Sequence, residues 1–313
     1  MRDSAAASLL GALRAALGRV IHGKADVLER VLVGLLGGGH VLLEDVPGVG
    51  KTTLARTLAK VFTMECTRVQ FTPDLLPTDI LGAQVLNPRD GSFSFHKGPV
   101  FTQVLLADEI NRASPRTQSA LLEAMNEDQV TIDGVSHPLP RPFFVLATQN
   151  PVDYQGTYPL PEAQLDRFLL RVGVGYPPPD AELAMLYARQ RSNPLDAIEA
   201  ITGAEELLAM QATVREVELK EPVGRYLLAI ITATRKAEAL SLGVSPRGAL
   251  ALFRATQARA YLQGRAYATP DDVQALAVPV LAHRVQLTAQ ARYGGTASEA
   301  IIAELLRKIS VPT

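Results

Sequence analysis

A short glycine-containing segment has the residue types and spacing that bind phosphate. Residues 41–53 read VLLEDVPGVGKTT, an apolar run that breaks into a loop and then enters a helical pattern. Gly48 and Gly50 allow successive backbone N–H groups to face an anion. The positive end of the following helix dipole also favours negative charge at this place. Lys51 supplies a point charge, and Thr52 supplies a hydroxyl for Mg²⁺. The segment therefore predicts a site for the β- and γ-phosphates of a nucleotide with its Mg²⁺.

One position departs from the usual phosphate-loop pattern G-x-x-x-x-G-K-[ST], because Asp45 stands where the first glycine is expected. Asp45 falls at the exit of the apolar run, whereas Gly48 and Gly50, the glycines that must lie against phosphate, are both present. An ordinary strand–turn–helix connection is the alternative interpretation. The residues expected to bind the nucleotide here are Pro47, Gly48, Val49, Gly50, Lys51, Thr52 and Thr53.

A second candidate is an acidic pair at the end of an apolar run. Residues 103–107 lead into Asp108 and Glu109, and the apolar run 142–149 leads into Asn150. Both runs lack alternation, as expected of strands covered on both faces of a parallel sheet, where functional side chains collect at the carboxyl ends. We expect Asp108 to hold the Mg²⁺ shell, Glu109 to deprotonate an attacking water, and Asn150 to position that water or touch the γ-phosphate. A solvated charge pair is the alternative for the two acids.

Two arginines are further candidates. Arg167 stands just before the apolar strand 168–174, where it can pair with Asp166 or Glu162 of its own chain or reach a neighbour's phosphate. Arg247 falls in the first turn of a helical pattern, where its charge opposes the helix dipole. Either a bound anion or a surface ion pair would explain that placement.

The elements that must position these residues follow from the alternation of apolar runs with helical patterns. That alternation predicts an α/β fold with a parallel sheet. Segments 82–101 and 127–141 read as two β-hairpins, for which edge decoration and a working role are equally compatible. After a Pro-rich linker the pattern is entirely helical. We therefore predict a nucleotide-binding core at residues 1–178 and an all-helical domain at residues 179–313.

Composition excludes several classes of protein. The 313 residues carry a net charge of −1, and no run of Lys and Arg exceeds two residues, so nucleic-acid binding is not expected. Cys66 is the single cysteine, which excludes an intramolecular disulfide and fits a reducing, cytoplasmic compartment. No uncharged apolar stretch reaches the roughly 18 residues that a membrane span needs.

Taken together, the motifs resemble those of the AAA+ ATPases and, more closely, of the MoxR family. The resemblance covers nearly the whole chain. It is carried by the segments 20–23 (VIHG), 43–52 (LEDVPGVGKT), 108–113 (DEINRA), 147–151 (ATQNP), 165–168 (LDRF) and 245–247 (SPR). Asp45, which is unusual for a general phosphate loop, looks typical of this family.

The resemblance implies a role at the nucleotide site for ten residues. They are the adenine-lining Val20, Ile21 and Gly23, the Walker A residues Lys51 and Thr52, the Walker B pair Asp108 and Glu109, the sensor 1 residue Asn150, the sensor 2 residue Arg247 and the arginine finger Arg167. ATP and Mg²⁺ are the implied ligands. The two hairpins resemble the inserts of the helix-2-insert clade, in which they project into the channel of a ring.

The resemblance also implies a hexamer and chaperone-like remodelling of a partner, often a protein with a von Willebrand A domain, or insertion of a metal cofactor. Three alternatives stay open. One is a nucleotide-gated scaffold with incidental hydrolysis, which Glu109, Asn150 and Arg167 argue against. The others are a motor similar to magnesium chelatase and a DNA-translocating motor, and the near-neutral charge argues against the second of these.

Overall fold

A five-stranded parallel sheet lies at the centre of the N-terminal part of the chain. The protein is described by a computed structural model that covers residues 2–44, 50–150, 157–190 and 194–312. The strands of this part are β1 (His40–Glu44), β2 (Cys66–Gln70), β3 (Gly82–Leu86), β4 (Phe93–Lys97), β5 (Val104–Asp108), β6 (Gln129–Ile132), β7 (Val135–Pro138), β8 (Phe144–Gln149) and β9 (Phe168–Gly173). Its helices are α1 (Arg2–Val20), α2 (Ala25–Leu36), α3 (Lys51–Val61), α4 (Pro77–Leu81), α5 (Pro115–Glu127) and α6 (Glu162–Leu165).

The strand order in the sheet is β2-β5-β8-β1-β9, and every neighbouring pair is parallel. Because Gln70 pairs with Asp108 and Glu44 pairs with Gln149, the carboxyl ends of the strands meet at one edge. Neighbouring residues of a strand enter different hydrophobic clusters, so both faces of the sheet are covered. The predicted α/β class with a parallel sheet is confirmed.

Two antiparallel hairpins, β3–β4 and β6–β7, stand outside the central sheet. The ring of Phe95 in the first hairpin stacks on the ring of His137 in the second, with centroids 4.1 Å apart and planes 22° apart. Phe93, beside the turn of the first hairpin, is 69% exposed. The hairpins therefore contact each other through stacked rings, and the tip of the first presents an apolar side chain to solvent.

The C-terminal part is helical, as predicted. Its helices are α7 (Pro179–Arg189), α8 (Ala204–Glu216), α9 (Glu221–Lys236), α10 (Pro246–Leu262), α11 (Pro270–Leu281), α12 (Ala289–Tyr293) and α13 (Ser298–Lys308). One feature was not predicted, a short antiparallel pair of β10 (Leu240–Leu242) with β11 (Gln286–Leu287). Strands of this length are too short to give a recognisable alternating pattern. Within the described ranges, no helix combines the length and the apolar character needed to cross a membrane.

The helical part, called the lid below, packs directly on the sheet part. Leu35 of α2, Leu170 of β9 and Ala258 of α10 belong to one buried hydrophobic cluster that spans both parts. Gly37 follows α2 at this contact, and a Cβ there would lie 3.0 Å from Leu169 and 3.7 Å from Ala258. The position of the lid is therefore set mainly by close apolar packing.

A buried carboxylate organises one end of the lid. The side chain of Asp272, near the start of α11, is 0% exposed and has Arg259 as one partner. Arg265 donates to its two oxygens at 2.7 and 2.8 Å, and the N–H of Thr269 donates at 2.8 Å. Burial raises the pKa of the Asp272 carboxyl, but the hydrogen bonds from Arg265 and Thr269 and the charge of Arg265 outweigh it, so the pKa lies below its usual value.

Asp272→Ala is expected to lower the free energy of unfolding by about 3 kcal/mol, because two partly buried guanidinium groups lose their shared counterion. Since the folded-state pKa lies below the unfolded value of about 3.9, this contribution is present above that pH and is lost as the pH falls further. Urea unfolding followed by circular dichroism measures the change. Asp271→Ala is the matched control, because Asp271 is exposed in the same helical turn. Equal losses for the two variants would contradict the role of the buried network.

Candidate nucleotide site

The phosphate-loop candidate lies between β1 and α3, at the carboxyl edge of the sheet. Gly50 is the N-terminal cap of α3 and has φ +92° and ψ 16°, a left-handed conformation that favours glycine. Lys51, Thr52 and Thr53 begin α3, whose first turn has no acidic residue to neutralise the positive helix end. The remaining predicted loop residues, Pro47, Gly48 and Val49, lie outside the described residues.

Asp108 is the last residue of β5, and its carboxylate is fixed by two partners. Its Oδ1 accepts a hydrogen bond from Thr148 Oγ1 at 2.6 Å. Its Oδ2 accepts from Nη2 and Nε of Arg68 at 2.7 and 3.1 Å. The side chain is only 14% exposed, and these charge-assisted contacts fix the carboxylate at the sheet edge.

Glu109 has a left-handed backbone, with φ +56° and ψ +50°. Such a conformation is unfavourable for a side chain larger than glycine and is often found at functional sites. The N–H of Glu109 donates to Thr148 Oγ1 at 2.8 Å. Its Oε2 accepts from Gln70 Nε2 at 2.8 Å and from Arg112 Nη1 at 2.9 Å. The structure therefore brings the predicted acidic pair together with β2 and β8.

Sequence reasoning missed four residues of this network: Arg68, Gln70, Arg112 and Thr148. A signal exists for Arg68 and Gln70, because polar residues two apart at the end of a strand share one face. Thr148 interrupts an otherwise apolar strand shortly before its end, which is also visible in the sequence. What the sequence does not show is that these residues face Asp108 and Glu109.

Asn150 directly follows β8, the strand between β5 and β1. It is buried, with 8% of its surface exposed, and its backbone carbonyl accepts a hydrogen bond from Asn111 Nδ2 at 3.3 Å. The strand order therefore places Asn150 between the strand that carries the acidic pair and the strand that leads to Lys51.

The residues predicted to line adenine lie at the turn from α1 to α2. Val20 is buried at the end of α1, and Ile21 packs against the same hydrophobic cluster. Gly23 has φ +69°, and a Cβ there would lie 2.6 Å from the Cβ of Ala181 in α7. Lys24 donates to the carbonyls of residues 174 and 176 at 2.6 Å each. The turn is therefore fastened to the connection between β9 and α7.

A cleft of about 660 Å³ borders this turn, with Ile21, Gly23 and Gly173 among its lining residues. Gly173 pairs with Glu44, which is the last described residue before the phosphate-loop candidate. The cleft therefore reaches the strand end beside Glu44. Its volume is in the range of clefts that hold small-molecule ligands.

Arg167 and Arg247 both belong to the surroundings of Asp166. Nε of Arg247 lies 3.5 Å from Asp166 Oδ2, and its Nη2 donates to Asn126 Oδ1 at 2.8 Å. Arg167 donates through Nη1 to the carbonyl of Leu122, and its Nε is buried without a hydrogen-bond partner in the described part of the chain. Arg247 thus has an ion pair, whereas Arg167 contacts α5 rather than the acidic neighbours that the sequence suggested.

The donors at this edge fit Mg²⁺ and a nucleoside triphosphate. Thr52 offers a hydroxyl and Asp108 a carboxylate, and Mg²⁺ usually combines such oxygen ligands with phosphates and water. Lys51 and the N-terminus of α3 offer positive charge to the phosphates. Arg68 compensates the charge of Asp108, so a metal ion at this carboxylate has to compete with a guanidinium group.

Two family models match the chain. Residues 40–170 match the model of the ATPase family associated with various cellular activities (AAA), and residues 232–305 match the model of the AAA lid domain. The first match includes Lys51, the acidic pair and Asn150. The two matches agree with the sheet part and the helical part of the fold.

Individual relatives match almost the entire chain. The uncharacterized protein YeaC of Bacillus subtilis is 47% identical over 97% of this chain and 95% of its own length. Chaperone MoxR1 of Mycobacterium tuberculosis is 42% identical over 94% of this chain and 80% of its own length. The crystal structure of a proposed ATPase from Cytophaga hutchinsonii superposes with a TM-score of 0.90 at 37% identity, covering 99% of this chain and 97% of that one. Sequence and fold thus agree, and the chain belongs to the MoxR family of AAA+ ATPases.

Proposed function

We propose that this chain is a Mg²⁺-dependent ATPase that hydrolyses ATP to ADP and phosphate within a homo-oligomeric ring, most simply a hexamer. The observation that carries the proposal is the network in which Thr148 holds Asp108 and Glu109 at the same sheet edge as the start of α3. Hydrolysis needs a metal-binding carboxylate beside a second carboxylate that can accept a proton, and this edge offers both. AAA+ ATPases commonly form rings, which supports the assembly.

Nucleotide binding is assigned to the loop and to the cleft beside it. Lys51 and the backbone of residues 47–53 bind the β- and γ-phosphates, and adenine lies against Val20, Ile21 and Gly23. Thr52 and Asp108 hold Mg²⁺, which when bound neutralises charge on the phosphates. Two observations support this assignment: the first turn of α3 has no acidic residue, and Asp108 ends β5 with its carboxylate.

Proton transfer is assigned to Glu109, with Asn150 orienting the attacking water. Gln70 and Arg112 both donate to Oε2 of Glu109, so Oε1 is the oxygen assigned to accept the proton of the water. The ion pair of Glu109 with Arg112, which compensates the charge of the base, favours a second candidate function, a nucleotide-gated scaffold in which hydrolysis is incidental. Steady turnover by the purified chain that depends on Glu109 would favour the ATPase.

Arg167, which follows α6, is assigned a role at the nucleotide that a neighbouring subunit binds. In the described ranges the side chain of Arg167 donates to the carbonyl of Leu122 and has a buried Nε without a partner, so its guanidinium retains donors for a phosphate. Arg247 forms an ion pair with Asp166, the residue before Arg167, which supports a role for both arginines at the same face of the subunit. A guanidinium on the γ-phosphate stabilises the charge of the transition state.

We assign to the ring the remodelling or activation of a protein partner. The relative from Mycobacterium tuberculosis is named a chaperone, which supports remodelling or activation of another protein. A partner with a von Willebrand A domain and the insertion of a metal cofactor rest on the family resemblance alone. Nucleic acid is not expected, given the near-neutral charge, and a cytoplasmic location rests on the use of a single cysteine.

Lys51→Ala is expected to abolish ATP binding and leave the fold intact, because Lys51 is only half-buried at the start of α3. Glu109→Gln should keep ATP binding and lower turnover by about 10² to 10⁴-fold, as expected for loss of a general base. Titration with a fluorescent ATP analogue and a phosphate-release assay separate the two effects. Wild-type turnover by Glu109→Gln would contradict the general-base assignment.

Arg167→Ala should lower turnover by about 10³ to 10⁵-fold without weakening ATP binding, because the arginine acts on a neighbour's phosphate. Mixing this variant with Lys51→Ala should restore part of the activity. A composite site then takes Lys51 from one chain and Arg167 from the other. Wild-type turnover by a dilute monomer, or the absence of recovery in the mixture, would contradict the role in trans.

Arg68→Ala should lower the Mg²⁺ concentration needed for half-maximal ATP binding by about two- to fivefold, the equivalent of an exposed ion pair of up to about 1 kcal/mol. The reason is that Mg²⁺ no longer competes with a guanidinium group for Asp108. Magnesium titrations in the Glu109→Gln background provide the measurement. Arg225→Ala is the control, since Arg225 forms an exposed ion pair with Glu221 in the lid. An unchanged Mg²⁺ requirement would separate Asp108 from the metal.

A further inference from the structure

The turn that carries Arg167 is gripped by a lid residue far away in the sequence. Arg284 follows α11, and its side chain is only 3% exposed. It donates to four acceptors on residues 166–169: Oδ1 and the carbonyl of Asp166 at 2.7 and 3.1 Å, the carbonyl of Phe168 at 2.6 Å, and the carbonyl of Leu169 at 3.2 Å. The backbone on both sides of Arg167 is therefore fixed to the lid.

Neighbouring lid residues strengthen this contact. Nε2 of His283 lies 3.0 Å from the carbonyl oxygen of Phe168, and Gln286 donates to Glu162 at the start of α6. Arg247 approaches the second carboxylate oxygen of Asp166. Two separate parts of the lid, residues 283–286 and the start of α10, thus meet the short segment from α6 to the start of β9.

The contact of Arg284 with residues 166–169 is hard to break because it is buried and involves a charged group. Burial lowers the pKa of Arg284 to about 10, an effect that the charge and hydrogen bond of Asp166 oppose, so the guanidinium stays cationic near neutral pH. Breaking its contacts with residues 166–169 would leave the buried guanidinium only the lid's own acceptors, the carbonyl of Val280 and the ring of His283, and would remove its counterion Asp166, which is unfavourable. When the lid moves, the turn therefore either moves with it or loses its contacts with Arg284, which is unfavourable.

The side chain of Arg167 is held much less firmly than the backbone that carries it. Within the described ranges, its guanidinium donates one hydrogen bond, to the carbonyl of Leu122 in α5. The direction in which the guanidinium points thus depends on the placement of the turn relative to α5, and Arg284 controls the turn.

We propose that Arg284 is a positioning residue for Arg167, through which the lid of a subunit sets how that subunit presents Arg167 to the nucleotide of its neighbour. The inference rests on the proposed function, in which Arg167 acts in trans. The inference specifies which chain matters: the lid and the arginine that are coupled belong to the same chain, the one that donates Arg167. The chain that binds the nucleotide does not need its own Arg284 for that step.

Mixed assemblies test this direction. In the reference mixture, a Lys51→Ala chain donates Arg167 and an Arg167→Ala chain donates the phosphate loop. Arg284→Gln is then added either to the arginine-donating chain or to the loop-donating chain. We expect the recovered activity to fall about 10- to 100-fold in the first placement, the range for misplacing a catalytic group by about 1 Å, and to stay near the reference in the second.

Two further variants separate positioning from folding. Arg259→Gln is the matched control, because Arg259 is also a partly buried lid arginine that reaches the sheet part, through Glu29 at 3.4 Å, but it lies away from the turn. It should give the same recovery in both placements. Arg284→Lys keeps the charge and loses the forked donors, so it should give an intermediate, placement-dependent loss with ATP affinity unchanged.

Each outcome decides the inference. A loss confined to the arginine-donating chain supports it. Equal recovery or equal loss in the two placements of both Arg284→Gln and Arg284→Lys overturns it, because a merely structural role would not distinguish the chains. No recovery in the reference mixture overturns the trans role of Arg167 itself, and the inference with it.

Discussion

The hydroxyl of Thr148 is the contact on which the arrangement of the acidic pair depends. It is fully buried on β8, donates to Asp108 and accepts from the N–H of Glu109. A hydroxyl has one proton to give, so its two contacts are necessarily of opposite kinds. One contact holds a side chain and the other holds a backbone. Two adjacent acids are thereby fixed differently, which suits the different roles proposed for them, metal binding for Asp108 and proton transfer for Glu109.

Both acids also have a cationic partner, Arg68 for Asp108 and Arg112 for Glu109. The edge is therefore charge-compensated before any nucleotide binds. Because charges in a partly buried site are costly without partners, these two ion pairs stabilise the edge in the absence of ligand. A nucleotide and its metal would therefore add to a site in which both carboxylates are already paired.

The sheet, the acidic pair and the helical lid could be predicted because each is written into a local pattern, an apolar run or a helical period with its end signals. The partners could not. Asp166 stands beside Arg167 in the sequence, yet its strong partner is Arg284, 118 residues away. Thr148, Arg68 and Gln70 likewise meet the acids only through the order of the strands. Local patterns specify elements, whereas tertiary packing decides which charges pair.

The stacked rings of Phe95 and His137 join the two hairpins, so they would move together rather than separately. β6 begins two residues after α5 ends, so a rotation of α5 would be passed directly to the second hairpin. The ring contact would pass part of that rotation to the first hairpin. Phe93 lies beside the turn at the far end of the first hairpin, so its exposed ring would be displaced further than the base.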